Sequence, residues 1–165
     1  MPPSNINRNS GENAQLDRID RAIIDALQNN ARLSNKELAA SVGLAPSSCL
    51  TRVRRLTEGG VLRGFHADVA PRTVGVGLEA MTAVRLTRHI HDNFQAFFEH
   101  AISLPEVVAV YQLAGADDFL IHVAVRDADH LRDFVLDRIS TRPEVAHLET
   151  ALIFQHQLKH VMPQY

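Results

Sequence analysis

Apolar positions recur at helical spacing through the first third of the chain and then give way to short β-branched runs separated by turn residues. Ile19, Ile23, Ile24 and Leu27 form one stripe, with Leu16 placed to staple and Asp17 to cap a first helix. Ser34 stands three residues before Glu37, the spacing of a reciprocal cap, and Leu38 and Val42 supply the buried side of a short second helix. Gly43 marks its exit, where a left-handed backbone would penalise a Cβ. Pro46 suits the first turn of a third helix, since its missing N–H needs no partner there. At about 100° per residue, Cys49, Leu50, Val53 and Leu56 are assigned to one side of that helix. Ser47, Ser48, Thr51, Arg52, Arg54 and Arg55 are assigned to the other, and Gly59-Gly60 ends it. Val61, Leu62, Phe65, Ala67 and Val69 then suggest an extended segment, either a plain linker strand or a small wing from which Arg63 and His66 reach phosphate.

The remaining pattern alternates. Met81 to Leu86 predicts a strand; Phe94, Phe97, Phe98, Ala101 and Ile102 a helix; Val107 to Leu113 a strand. Gly115-Ala116-Asp117-Asp118 marks a turn before a strand over Phe119 to Val125. Leu131, Phe134, Val135 and Ile139 predict a second helix capped by Asp127, and Val145 to Phe154 a last strand. The order β-α-β-β-α-β predicts an antiparallel sheet with both helices on one face, the ferredoxin-like arrangement. Its other face would leave Val108, Val110, Ile121 or their neighbours in water, which predicts a homodimer packed sheet against sheet.

The short pair of helices has the outline of a helix-turn-helix. Its second member carries hydroxyls at the front, suited to base edges in a major groove, and three cations with no anion, suited to guanines or phosphates. A merely solvated charged face is the plainer reading; the cap, the glycine turn and the single-sign face together favour DNA. The formal charge of −2 obscures this, but residues 1–66 carry 9 Lys+Arg against 6 Asp+Glu and residues 67–165 carry 8 against 13. The asymmetry is that of a chain whose front half meets phosphate, with salt-sensitive binding.

No apolar run has the length of a membrane span, and residues 1–15 are polar, a flexible N-terminal arm without the apolar segment of a signal peptide. The single cysteine, Cys49, cannot form an internal disulfide and fits a reducing, cytoplasmic compartment; its setting among apolar neighbours makes it a core residue rather than a redox sensor.

From Leu16 to about Lys159 the chain resembles the Lrp/AsnC, or feast/famine, transcriptional regulators. The resemblance rests on Leu16-Asp17-Arg18-Ile19-Asp20, Ser34-Asn35-Lys36-Glu37-Leu38, Val42-Gly43-Leu44, Cys49 and Arg52-Val53-Arg54-Arg55-Leu56. Gly60-Val61-Leu62, Gly64-Phe65, Gly115-Ala116-Asp117-Asp118-Phe119 and Thr150 continue it in order. It implies an α+β protein with a winged helix-turn-helix over residues 16–66, a linker strand and hinge over 67–78, and an effector-binding, oligomerising (RAM) domain over 79–165. Proteins like these dimerise through the second domain, commonly assemble into octamers that wrap DNA, and bind a free amino acid between effector domains of neighbouring dimers. The expected DNA-contacting residues are Ser34, Asn35, Lys36, Ser47, Ser48, Thr51, Arg52, Arg54, Arg55 and Arg63.

Carried over, Gly115, Ala116, Asp117 and Asp118 form the effector loop. Glycine lets backbone N–H groups approach an α-carboxylate, and Asp118 could hold the α-ammonium. Thr150 adds a hydroxyl, and Ala128, Leu152 and Ile153 shape the side-chain pocket. Read without the resemblance, the loop is an ordinary hairpin turn. One departure is Ala45, where relatives often have serine: the recognition helix starts without a side-chain cap, at a cost of about 1 kcal/mol.

The expected function is an amino-acid-responsive regulator of amino-acid metabolism genes, acting in the cytoplasm on the nucleoid, with an amino-acid effector and no other cofactor. An architectural DNA-binding protein without an effector would share the same helices. Enzyme readings are weaker. His89-x-His91 and His156-x3-His160 lack a convincing third metal ligand, and no nucleophile-elbow, phosphate-loop or dinucleotide fingerprint is present. Some tetrapyrrole decarboxylases resemble the family in both domains and would use a histidine such as His122 or His147, but they leave the arginine face unexplained.

Overall fold

The computed structural model describes residues 16–87 and 91–163, without the side chains of residues 91 and 92. The expected arm over residues 1–15 and the side chains of the His89–His91 pair lie outside this description. The chain forms two units: one holds the residues up to Ala67 together with the stretch from Leu158, the other runs from Asp68 to Gln157.

The first unit contains α1 (Arg18–Asn29), α2 (Asn35–Ser41) and α3 (Pro46–Glu58). Asp17 caps α1 by accepting from the Asp20 N–H at 2.8 Å, while its own N–H donates to Asp20 Oδ2 at 3.2 Å. Ser34 and Glu37 repeat the device on α2. Gly43, at φ +69°, turns the chain toward α3. As expected from Ala45, α3 begins with no side-chain cap. Ile23, Leu27, Leu38, Ala39, Cys49 and Leu56 are the core. Leu50 departs from the expected buried side: it is 48% exposed, because it stands about 100° around the helix from Cys49, whereas Val53 and Leu56 lie within about 40° of it. Burial pushes the Cys49 thiol up from its ordinary value.

The segment after α3 runs without strand pairing, so Arg63 and His66 stand on irregular backbone. At the other end of the chain the Met162 N–H donates to Gln28 Oε1 of α1 at 2.6 Å. By its contacts the stretch from Leu158 groups with the helices.

The second unit follows a 3-10 turn at Pro71–Val74. It comprises β1 (Leu78–Leu86), α4 (His91–Ser103), β2 (Val107–Gln112), β3 (Phe119–Val125), α5 (Ala128–Phe134, continuing as a wider π turn over Val135–Ser140) and β4 (Val145–Ile153). The four strands are antiparallel in the order β2-β3-β1-β4. Alternation sends Ala80, Val84, Phe119, Ile121, Val123 and Val125 to one face, where Phe97 and Ala101 of α4 and Leu131, Phe134 and Ile139 of the second helix cover them. At Gly77, just before β1, the backbone passes so close to Arg126 that an added Cβ would lie 2.2 Å from its carbonyl oxygen.

The opposite face differs in detail from the expectation. Ile121 is fully buried and Val110 packs against the same core, so neither is presented to water. A bulge between Val107 and Ala109 accounts for this: Val107 opposes Val123 and Val110 opposes Ile121, both on the helix side, and Val108 is the extra, exposed residue. By register the open face carries Met81 and Ala83, Ala109 and Tyr111, Leu120 and His122, and Ala151.

Candidate nucleic-acid interface and effector groove

The expected DNA-contacting residues separate into two groups. Ser47, Ser48, Thr51 and Arg54 lie exposed along the outer side of α3, with Lys36 exposed on α2 and Arg63 after the helices. No ion-pair partner is described for Arg54. Others are already engaged. Ser34 Oγ accepts the Glu37 N–H at 3.3 Å, and Asn35 Nδ2 donates to the Pro46 carbonyl at 2.8 Å, tying the start of α2 to the start of α3.

Arg52 and Arg55 correct the picture most. Arg52 Nη1 donates to Asp17 Oδ2 at 2.6 Å and to Asp20 Oδ1 at 2.9 Å; Arg55 Nη2 donates to Asp20 Oδ2 at 2.5 Å. Asp20 is only 1% exposed. The cause lies in the helix geometry: Arg52 stands about 60° from Cys49, at the flank of the buried side rather than opposite it. A buried carboxylate needs cations, and α3 supplies two of them three residues apart. The Asp20 backbone N–H and the Arg52 guanidinium hold the Asp17 carboxyl below its ordinary value. The same pair of carboxylates, Asp17 first, keeps Arg52 more firmly protonated. On Glu37, the Ser34 hydroxyl and backbone lower the carboxyl in the same sense.

Asp20 is the residue that reading the sequence missed. Its signal was its position in the α1 stripe: Asp20, Ile23 and Leu27 are the buried residues of that helix. A carboxylate within an apolar stripe implies a cation on the facing helix.

In the second unit, the expected effector residues do not converge. Gly115 and Ala116 are exposed in the loop between β2 and β3, but Asp118 is buried. Its Oδ2 accepts the Leu86 N–H at 2.7 Å, its N–H donates to Val84 O at 2.9 Å, and its carbonyl accepts the Leu113 N–H at 2.8 Å. Asp118 therefore closes the hairpin onto β1. One oxygen of the carboxylate proposed for an ammonium group is thereby committed to the fold.

Ala128, Thr150 and Leu152 do come together, with Leu131, Arg132 and Leu148, along an open groove of about 400 Å³ between α5 and β4. Thr150 Oγ1 lies 3.1 Å from Thr82 Oγ1, across the β1–β4 pair. Ile153 does not line the groove: it alternates to the opposite face from Leu152 and pairs with Glu79. Leu152 pairs with Ala80 near the start of β1, whereas Asp118 binds its end at Val84 and Leu86. Within one protomer the groove runs along β4 from Leu148, opposite Val84, to Leu152, while the loop leads into β3 on the other flank of β1.

Of the histidines considered for enzyme chemistry, His122 is buried with Nε2 3.0 Å from Glu79 Oε1, while His147 is exposed on β4. Among the described residues no group of three or more His, Cys, Asp or Glu side chains could hold a metal ion. No helix among them is long and apolar enough to cross a membrane.

Residues 79–162 match the Lrp/AsnC ligand binding domain and residues 16–63 the winged helix-turn-helix DNA-binding family. The chain is 48% identical over 141 residues to the HTH-type transcriptional regulator AldR of Mycolicibacterium smegmatis, covering 86% of this chain and 82% of that protein. Its fold superposes on the crystal structure of MtbAldR with a TM-score of 0.81 at 38% identity, covering 92% of this chain and all of that one. A Neisseria meningitidis transcriptional regulator in complex with L-Met gives a TM-score of 0.79 at 31% identity, covering 90% of this chain and 96% of the other. A helix-turn-helix joined to a βαββαβ domain, matched along both parts by regulators rather than enzymes, makes this chain a member of the Lrp/AsnC family of transcriptional regulators.

Proposed function

We propose that this regulator senses a free amino acid with an apolar side chain and controls amino-acid metabolism genes from operators bound through α3. The observation that carries the effector reading is the groove of Ala128, Leu131, Leu148 and Leu152, apolar apart from Thr150 and Arg132. Its aliphatic lining suits an apolar side chain, and small Ala128 leaves room at the start of α5. The exposed loop of Gly115 and Ala116 lies across β1 from the groove, so a second protomer is the one to offer it to the α-carboxylate. The complex of a related regulator with L-Met supports this chemistry. Assembly is then part of sensing: the open sheet face with Tyr111 and Leu120 pairs two chains, dimers join around the effector toward an octamer, and ligand shifts the spacing of DNA-binding heads by its differential affinity. Its place of action is the cytoplasm, on the nucleoid.

A thermal-shift screen of the twenty amino acids tests the reading. A ligand at a hundred times its Kd stabilises the folded state by about 2.7 kcal/mol. We expect a concentration-dependent rise with one or a few apolar amino acids, lost in Leu152→Arg, a change at a half-exposed position. No rise with any amino acid, or an undiminished rise in that variant, would overturn it.

A further inference from the structure

Two histidines share one carboxylate on the open face of the sheet. Glu79 stands opposite Ala124 of β3 and Ile153 of β4, one step along the face from Met81, which stands opposite His122. Glu79 Oε1 lies 3.0 Å from His122 Nε2, and its other oxygen, Oε2, lies 3.9 Å from His156 Nδ1 in the segment after β4. The two rings meet edge to face, with centroids 5.6 Å apart. His122 is buried, Glu79 is partly buried and His156 reaches solvent.

Histidine is the side chain whose charge ordinarily changes between about pH 5 and 8. With both rings neutral, the cluster carries the single negative charge of Glu79. One proton brings it to zero, and a second leaves it positive, with two like charges side by side. A charge taken out of water without compensation costs far more than a paired one. Face-to-face pairing of two sheets takes such groups out of water, so the singly protonated cluster suits it best. The other ionisable groups that the register places on this face stand apart from the cluster. Exposed Glu149 is opposite Ala83 and exposed Arg85 is opposite His147. At about 3.3 Å per residue they lie roughly 13 and 20 Å along β1 from Glu79, beyond the screening length of about 8 Å. Tyr111 of β2, opposite Leu120, is a phenol, a group that carries no charge in this range. Arg126, just past β3, turns its Nε to His130.

We propose that Glu79, His122 and His156 form a proton-operated latch on the face through which two copies pair: one proton per chain closes it, and none or two open it. This rests on the reading that the open sheet face joins two chains. Association then takes up protons on the alkaline side of the window and releases them on the acid side. The pair of DNA-binding heads is held together most firmly between the two. A regulator whose heads act as a pair thereby reads acidity through its own assembly. It does so independently of the groove, which shares no lining residue with the latch.

Fluorescence-detected sedimentation velocity of the full chain, from nanomolar to micromolar concentration at fixed ionic strength, reads the dimer constant between about pH 5 and about pH 8.5. Uptake of one proton per chain changes that constant by up to about a hundredfold per pH unit, and we expect it to weaken at least about tenfold from about pH 6.5 to about pH 8.5. Glu79→Gln should reverse this alkaline limb, because its cluster is neutral only when both rings are, so association strengthens as the pH rises. His156→Gln, at a solvent-reaching position, should keep the alkaline limb and blunt the acid one. His147→Gln, on the same face but away from Glu79, should keep the alkaline limb as well. A constant that is flat over the alkaline range, one that weakens as steeply in Glu79→Gln, or an alkaline limb lost in His147→Gln would each overturn the latch and leave pairing through the sheet standing. A chain that stays monomeric at every pH would overturn the latch and the pairing reading together.

Discussion

Replacing Asp20 with asparagine removes a charge and little else, and the structure sets what that should cost. The side chain is 1% exposed and accepts from Arg52, Arg55 and the Asp17 N–H. Breaking a fully buried ion pair costs about 3–5 kcal/mol when the surviving partner stays buried. Here the survivors are partly exposed arginines that can turn to water, so the loss lies below that range. It lies above the roughly 1 kcal/mol of one neutral hydrogen bond, because the bonds lost are to a charged acceptor. About 2 kcal/mol is the expected destabilisation of the helical unit. With each factor of ten in an equilibrium worth about 1.4 kcal/mol, amide exchange in α1 and α3 should accelerate about 30-fold while β1 and β3 keep their rates. Hydrogen-exchange mass spectrometry reads this segment by segment. The freed guanidiniums should also steepen the salt dependence of duplex binding, by up to about 0.9 in the log–log slope for each arginine that finds a phosphate. Unchanged exchange in α1 and α3, or equal acceleration in the sheet, would refute the idea that Asp20 docks the recognition helix.

Arg54→Ala should behave in the opposite way: unchanged exchange throughout, weaker operator binding, and a salt slope shallower by about 0.9, measured by fluorescence anisotropy over a salt series. Acid should loosen the helical unit first. Asp17 and Glu37 titrate below their ordinary values of 3.8 and 4.5 in the folded chain, so the unfolded chain takes up their protons at higher pH. The stability they contribute is complete above about pH 5 and drains away as the pH falls through those ordinary values toward the lower folded ones. Circular dichroism over an acid series checks this, and Asp17→Asn combined with Glu37→Gln should flatten the helical loss.

Much of the architecture was legible because it follows from local rules. Asp17, Ser34 and Gly43 sit where helix ends demand them, whereas the alternation in β3 was assigned to the wrong face, since Ile121, expected in water, lies in the core. Where the reading failed, the missing quantity was angular or long-range. Laying α3 out in two halves put Leu50 in and Arg52 out, whereas angles measured from Cys49, about 100° for Leu50 and about 60° for Arg52, put Leu50 outside and Arg52 near the core. The pairing of Asp20 with α3 joins residues more than thirty positions apart; the α1 stripe announces a buried carboxylate but not which cations meet it. Asp118 follows the same logic: as a loop carboxylate it suggests a ligand contact, and its bond from Oδ2 to the Leu86 N–H of β1 is a long-range one that the loop's own residues do not announce. The bulge at Val108 hid in an apolar run whose residues look alike on either face.

The rim of the groove between α5 and β4 is built from side chains that the folding core does not require. Leu152 and Leu136 are about half exposed, Ala128 and Arg132 face solvent, and none belongs to the fully buried set. Substitutions at such surface positions usually move stability by no more than about 0.5 kcal/mol. What the protein recognises can therefore drift under selection almost independently of whether it folds, since Ala128 enlarged or Leu152 trimmed would re-size the groove and leave Phe97, Phe119 and Ile121 untouched. A scaffold with its specificity on the rim and its cohesion beneath can be duplicated and retuned for one small molecule after another.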